Sequence, residues 1–182
     1  MFKHIIEEGL ELKMLENNHA EAIFELVDGN REHLRQWLPW VDDNNTLHES
    51  RNFIKYVKKQ HFEDKGFVAG IWYEGKLAGV IGFNELNWNN KSASIGYWLG
   101  AEFEGKGIMT KATKSFIDYA ILELGFNRVE IRCAEDNLKS GAIPKRLGFT
   151  KEGVIREVEW LYDHYVNHIV YGVLAKDWKE KQ

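Results

Sequence analysis

Cysteine is nearly absent from this chain: among 182 residues there is one, Cys133. An internal disulfide is therefore impossible, and a clustered thiolate metal site is excluded. Long hydrophobic runs are missing as well. No segment approaches the roughly 20 apolar residues that span a bilayer as a helix, and the opening stretch Met1-Phe2-Lys3-His4-Ile5-Ile6-Glu7-Glu8-Gly9 has no apolar leader. A cytoplasmic protein with no membrane partner is expected. Nor is there an excess of positive charge. Lys and Arg number 24 against 28 Asp and Glu, a net charge of -4, which leaves no general surface for nucleic acid and mildly favours a cationic partner. Repeats, low-complexity tracts and linkers are absent, so one domain over residues 1–182 is expected. No metal is expected either, because His164 and His168, although four apart, lie in a stretch that alternates like a strand.

What remains is ordinary globular composition, 44% apolar and 29% charged, in which helix and strand signals alternate. Leu10 to Met14 alternates like an edge strand. Asn18-His19-Ala20-Glu21 reads as an N-cap with its reciprocal glutamate, ahead of an apolar stripe at Ala22, Ile23, Leu26 and Val27. Thr46-Leu47-His48-Glu49 repeats that pattern before a helix that should stop near Glu63. Phe67 to Tyr73 and Lys76 to Glu85 are strands joined through Glu74-Gly75, and Asn89-Asn90-Lys91 turns into a third strand of an antiparallel meander. Helical spacing of Ile108, Ala112, Phe116, Ala120 and Leu124 ends at Gly125, the residue suited to a helix C-terminus. Arg128 to Cys133 is a strand, Ser140 to Leu147 a short helix, and Glu152 to Leu161 and Tyr165 to Leu174 are two long strands around Tyr162-Asp163-His164. The result is an α/β chain with about seven strands and about four helices.

The most informative segment runs Ala93-Ser94-Ile95-Gly96-Tyr97-Trp98-Leu99-Gly100-Ala101-Glu102-Phe103-Glu104-Gly105-Lys106-Gly107-Ile108-Met109-Thr110. A strand enters a glycine turn and leaves as a helix. Gly105 and Gly107 lack Cβ atoms, so the turn can aim successive N–H groups at an anion where the helix presents its own positive end. Gly100-x4-Gly105-Lys106 matches most of a Walker loop, but the hydroxyl that must follow to hold Mg²⁺ is replaced by Gly107. A dinucleotide fingerprint lacks its third glycine, since Ile108, Met109 and Thr110 come next. A turn without a ligand is the remaining alternative.

The downstream run Asp136-Asn137-Leu138-Lys139-Ser140-Gly141-Ala142-Ile143-Pro144-Lys145-Arg146-Leu147-Gly148-Phe149 makes the pattern more specific. Together with the Gly105 loop it resembles the two cofactor motifs of the GNAT superfamily of acetyl-CoA-dependent N-acetyltransferases, in the same order and separation, over roughly residues 8 to 176. Arg35-Gln36-Trp37-Leu38-Pro39-Trp40, Ile95-Gly96-Tyr97-Trp98-Leu99 and Val158-Glu159-Trp160-Leu161 are most similar to the RimJ/RimL-like branch, which acetylates N-termini of ribosomal proteins. One position departs: the loop motif opens with Gln or Arg in the family and with Glu102 here. The resemblance implies a single domain built on a mostly antiparallel mixed sheet, with its fourth and fifth strands, Ser94 to Leu99 and Arg128 to Cys133, splayed into a notch. It implies backbone contacts from Tyr97, Trp98 and Leu99 to the pantetheine arm. Gly105, Lys106, Gly107, Ile108, Met109 and Thr110 would hold the pyrophosphate, and Asn137 and Ser140 would lie beside the arm or thioester. Cys133 at the notch is read as core, the usual place of a lone strand cysteine.

Direct transfer requires an uncharged amine, a proton acceptor, an oxyanion donor and an acid for the thiolate. A peptide α-amine near pKa 7.8 is roughly a quarter neutral at pH 7.4, whereas a lysine near 10.4 is about one part in a thousand. An N-terminal acceptor therefore needs only a modest carboxylate. In the RimL-like pattern that residue is Glu159, helped by Ser140, with Tyr162 a candidate acid. Glu157 shares the face of Glu159 if the strand keeps period two, so the choice between them stays open. Trp37 and Trp40 either cap a core edge or, with Glu157, line the acceptor site. A polyamine or aminoglycoside acceptor uses the same machinery, and a non-catalytic acyl-CoA-binding module is the alternative of another class. The tryptophans and long C-terminal strands point to a homo-oligomer.

Overall fold

Apolar alternation becomes strand, and apolar stripes at helical spacing become helix, in a computed structural model that describes residues 3–181. The strands are β1 (Lys3–Glu7), β2 (Leu10–Met14), β3 (Phe67–Tyr73), β4 (Lys76–Asn87), β5 (Ser92–Leu99), β6 (Arg128–Ala134), β7 (Thr150–Leu161) and β8 (His164–Leu174). They form one mixed sheet in the order β1-β2-β3-β4-β5-β6-β8-β7. The helices are α1 (Ala20–Asp28), α2 (Arg31–Arg35), α3 (Leu47–Phe62), α4 (Ile108–Asp118), α5 (Leu138–Arg146) and α6 (Ala175–Lys179). This is the α/β architecture expected, with β1, α2 and α6 added. β1 has no buried residue, and α2 and α6 bury one each, Leu34 and Trp178, so none shows an apolar alternation or stripe. β1 pairs antiparallel with β2, so Leu10 to Met14 is not the sheet edge.

The chain divides into two compact units, one made of the residues up to Gly82 with Tyr97–Ala112, the other of Phe83–Gly96 with the residues from Thr113 onward. In the first, β2 and β3 pair antiparallel from Leu10–Tyr73 to Met14–Ala69. The turn Glu74-Gly75 has φ of 48° and 78°, the paired positive values of a tight hairpin turn that suits strand twist. Leu10, Leu12, Leu15, Ile23, Val27, Ile54, Ala69, Ile71 and Ile81 are buried, each large side chain contributing about 1.5–3 kcal/mol. Asn18 does not cap α1. It lies in a 3-10 turn, Asn17–His19, whose geometry is set one step earlier by Glu16, whose N–H donates to His19 Nδ1 at 3.0 Å. Thr46 does precede α3, and its hydroxyl donates to Glu49.

In the second unit β5 and β6 run parallel from Ser92–Arg128 to Ile95–Ile131. Their ladder ends there although both strands continue, the parting that a notch requires. β8 pairs antiparallel with β6 on one side and β7 on the other. Residues of odd number on β6 and β8 (Val129, Ile131, Cys133, Ile169, Tyr171, Val173) are buried, so the even-numbered residues form the opposite face. α4 passes into a π turn over Tyr119–Glu123 and stops at Gly125, with φ 69°. Trp178 of α6 is buried and donates its indole N–H to Asp118 Oδ1 at 2.7 Å.

Candidate active site

In the first unit β5 delivers the chain to the glycine turn. The Gly100 N–H donates to the Ala78 carbonyl at 2.8 Å. Gly79 is next in β4, where an added Cβ would stand 2.2 Å from the Trp98 carbonyl oxygen; glycine there is a matter of space. Asn30, buried at the end of α1, holds the turn from below: its Oδ1 accepts from the Ala101 N–H at 2.9 Å while its Nδ2 donates to the Leu26 carbonyl at 2.9 Å. No sequence pattern marked Asn30, because its contact spans 71 positions. His33 Nε2 lies 3.1 Å from Glu104 Oε1 on the same turn.

Gly105 and Gly107 have φ of 75° and 72° with nothing within 4 Å of an added Cβ. Backbone conformation, not crowding, requires glycine here. α4 begins at Ile108, and its first intrahelical bond runs from the Lys111 N–H to the Gly107 carbonyl at 3.1 Å. Ile108 and Met109 bury their side chains, so all they can offer an anion is their N–H groups, which have no partner within the helix. Lys106 Nζ sits 5.3 Å from the Tyr73 ring and 5.7 Å from that of Phe103, a tether of about 0.5–1 kcal/mol that leaves its charge at the surface. Glu102 is exposed at the entry to the turn. These features fit a pyrophosphate: two left-handed glycines, a helix N-terminus and a cation beside them.

Trp37 and Trp40 are half-buried beyond α2. Trp40 meets Trp98 of β5 with ring centroids 5.8 Å apart, beside the predicted pantetheine-binding residues Tyr97 and Leu99. The segment is pinned by Arg31, which donates to the carbonyls of Val41 at 3.1 Å and Asn44 at 2.7 Å.

In the second unit the N-x-x-S spacing has a local cause. Asn137 is the N-cap of α5, its Oδ1 accepting from the Ser140 N–H at 3.2 Å. That satisfies an orphan donor of the first turn and fixes Ser140. Cys133 is buried and stays core: burial pushes its thiol pKa up, and the hydrogen bond with Ser140 only partly opposes this. Tyr162 takes φ 62° in the turn between β7 and β8.

Glu157 and Glu159 do not keep the period-two relation that would place them on one face. Between the pairs Ile155–His168 and Glu159–Val166, β7 advances by four residues while β8 advances by two. The extra residues form a bulge in which Glu157 has φ 47° and donates its N–H to Asn167 Oδ1 at 2.8 Å. Glu159 rejoins the ladder, and its Oε1 lies 3.6 Å from His168 Nε2. His164 instead contacts Asp163 at 2.6 Å. Among the described residues no group of three or more His, Cys, Asp or Glu could hold a metal ion, and no helix is long and apolar enough to cross a membrane.

Residues 10–150 match the family model described as an acetyltransferase (GNAT) domain. The chain is 36% identical to the putative ribosomal N-acetyltransferase YdaF of Bacillus subtilis (strain 168), over 98% of each chain. Among solved structures it superimposes on RimL, a ribosomal L7/L12 alpha-N-protein acetyltransferase in complex with coenzyme A through a CoA–cysteine disulfide, with TM-score 0.92 and 29% identity over 95% of this chain and 98% of that one. It also superimposes on the microcin C7 self-immunity acetyltransferase MccE in complex with acetyl-CoA and AMP, with TM-score 0.89 and 33% identity over 93% and 94%. A family model covering most of the chain, and likeness to acetyltransferases over nearly its full length, show that this protein belongs to the GNAT acetyltransferase family.

Proposed function

We propose that this enzyme transfers acetyl from acetyl-CoA to the N-terminal α-amine of a protein, a ribosomal protein being the leading candidate. The observation that carries the reading is Glu159, a partly exposed carboxylate held beside His168. Such a group suffices for an amine that is already partly neutral, and is a poor match for lysine, which is about 300-fold less neutral at pH 7.4 by its ordinary pKa. The likeness to RimL and YdaF supports the protein acceptor.

Acetyl-CoA supplies the acetyl group as a thioester. Gly105, Gly107 and the N–H groups of Ile108, Met109 and Thr110 bind its pyrophosphate, with Lys106 adding charge. Tyr97, Trp98 and Leu99 align the pantetheine arm through their backbone. Asn137 acts indirectly, by capping α5 and so placing Ser140, which holds the amine or a water. Glu159 accepts the proton the amine loses as nitrogen bonds to the carbonyl carbon and the carbon–sulfur bond breaks; Tyr162 returns a proton to the thiolate. Trp37 and Trp40 orient the acceptor, with Glu157 drawing its positive charge towards the bulge. A ribosomal acceptor places the reaction in the cytoplasm. Val154, Val158 and Trp160 of β7, exposed together with Tyr165, support a homo-oligomer, and a sedimentation mass of 21.2 kDa would contradict it.

The test is one screen with labelled acetyl-CoA against ribosomal proteins, peptides with free or blocked α-amines, spermidine and an aminoglycoside, with mass spectrometry locating the acetyl group. Label on free α-amines supports the proposal. Faster transfer to spermidine or the aminoglycoside replaces it with a small-amine enzyme, and CoA binding without any transfer would leave a binding module. Glu159→Gln should lower kcat by about 100-fold, the range of a general base, with little change in CoA affinity. If neither moves, the base is another residue.

A further inference from the structure

We infer that His168 is a positioning residue for acetyl transfer, holding the Glu159 carboxylate where β7 re-enters its ladder after the bulge. The inference rests on Glu159 being the proton acceptor. β8 lies between β6 and β7, so His168 sits on an interior strand, registered with Ala134 of β6 and Ile155 of β7. Val166 and His168 are two apart on β8 and share a face. Their ladder partners share it too, which brings Glu159, the partner of Val166, to the imidazole. The side chains are 17% and 30% exposed, His168 being the more enclosed, with Nε2 and Oε1 at 3.6 Å.

A glutamate at the end of a bulge has freely rotating torsions, and an enclosed imidazole on an interior strand does not. The His168 ring is therefore the fixed member, and the carboxylate settles against it. When protonated it attracts the carboxylate by charge; when neutral, a small rotation lets its N–H donate to it. Few other groups compete on this face. Ala134, facing His168 from β6, carries no charge, and Arg132, two residues along, is bound to Glu130 Oε1 at 2.5 Å. Arg156 and Glu157 lie within the bulge itself, the latter held through its N–H by Asn167.

The test combines kinetics and NMR on the whole chain. With acetyl-CoA and the fastest peptide of the screen, His168→Ala and His168→Gln should lower kcat by about fivefold, the upper reach of a partly exposed pair, with KM for acetyl-CoA unchanged. The double variant with Glu159→Gln should be no slower than Glu159→Gln alone. Without any acceptor, the NMR signals of the His168 ring should move in Glu159→Gln relative to wild type. Unchanged kcat in the His168 variants, multiplied effects in the double variant, or unmoved His168 ring signals would each overturn the inference. If Glu159→Gln alone leaves kcat intact, the base assignment fails first and is identified as the failure.

Discussion

Gly107→Ala separates two reasons for glycine in this protein. At Gly107 φ is 72° and an added Cβ meets nothing within 4 Å, so the only cost is holding an L-residue in the left-handed region, about 1–2 kcal/mol. That cost divides between two processes. If the free loop keeps its conformation, the whole of it appears in folding, and Tm falls by about 3–5 °C for a chain of this size. If the free loop relaxes to negative φ, Tm is preserved, but the peptide must be turned back to bind pyrophosphate. The Kd for CoA then rises by about tenfold, the equivalent of about 1.4 kcal/mol. The sum of the two, measured by thermal unfolding and by isothermal titration with CoA, is what the backbone geometry determines. Gly107→Asn should recover about half of it, because asparagine tolerates this region better. Gly79→Ala is the control. Its Cβ would lie 2.2 Å from the Trp98 carbonyl oxygen, so its cost is overpacking, about 1–3 kcal/mol, and asparagine there should be worse than alanine. A summed cost near zero for Gly107→Ala, or equal costs for its alanine and asparagine variants, would refute the assignment of this turn as a conformationally required cradle.

Three further outcomes are expected. Asn30→Ala leaves the Ala101 N–H and the buried Leu26 carbonyl without their partner, a loss of about 1–3 kcal/mol seen in thermal unfolding and accompanied by weaker CoA binding. Glu130 is pushed up by burial, but hydrogen bonds from Arg128 and Arg132 outweigh this and hold its pKa below the ordinary 4.5. Its stabilising share is therefore present above pH 4.5 and lost as pH falls through the lower folded value, so the Tm difference between wild type and Glu130→Gln should shrink in acid. Cys133, its thiol kept protonated by burial, should resist iodoacetamide at pH 7.5 in the native protein and react readily in urea.

The glycine turn was legible in the amino-acid order because it is a local device, whereas Asn137 and Ser140 were marked by resemblance and the structure shows their bond to be a helix cap. A left-handed glycine pair, a helix start and an N-cap three residues before its acceptor are set by neighbours along the chain. β2 was misjudged as an edge because β1, Lys3–Glu7, buries none of its residues and sets its two isoleucines side by side instead of in alternation. The Asn18 cap failed for a similar reason: Glu16 and His19 offer the same short-range chemistry and take the turn first.

By itself, then, the sequence determined the α/β pattern and the backbone that can cradle a phosphate, since both follow from local spacing, and it pointed to the family through the resemblance of two motifs. Tertiary structure set Glu157 and Glu159 apart. Period two holds only while a strand stays in register, and the β7 bulge breaks that register between Ile155 and Glu159. It also brought His168 to Glu159 and Asn30 to Ala101. Neither contact is encoded in spacing, because each depends on how separate segments close on one another.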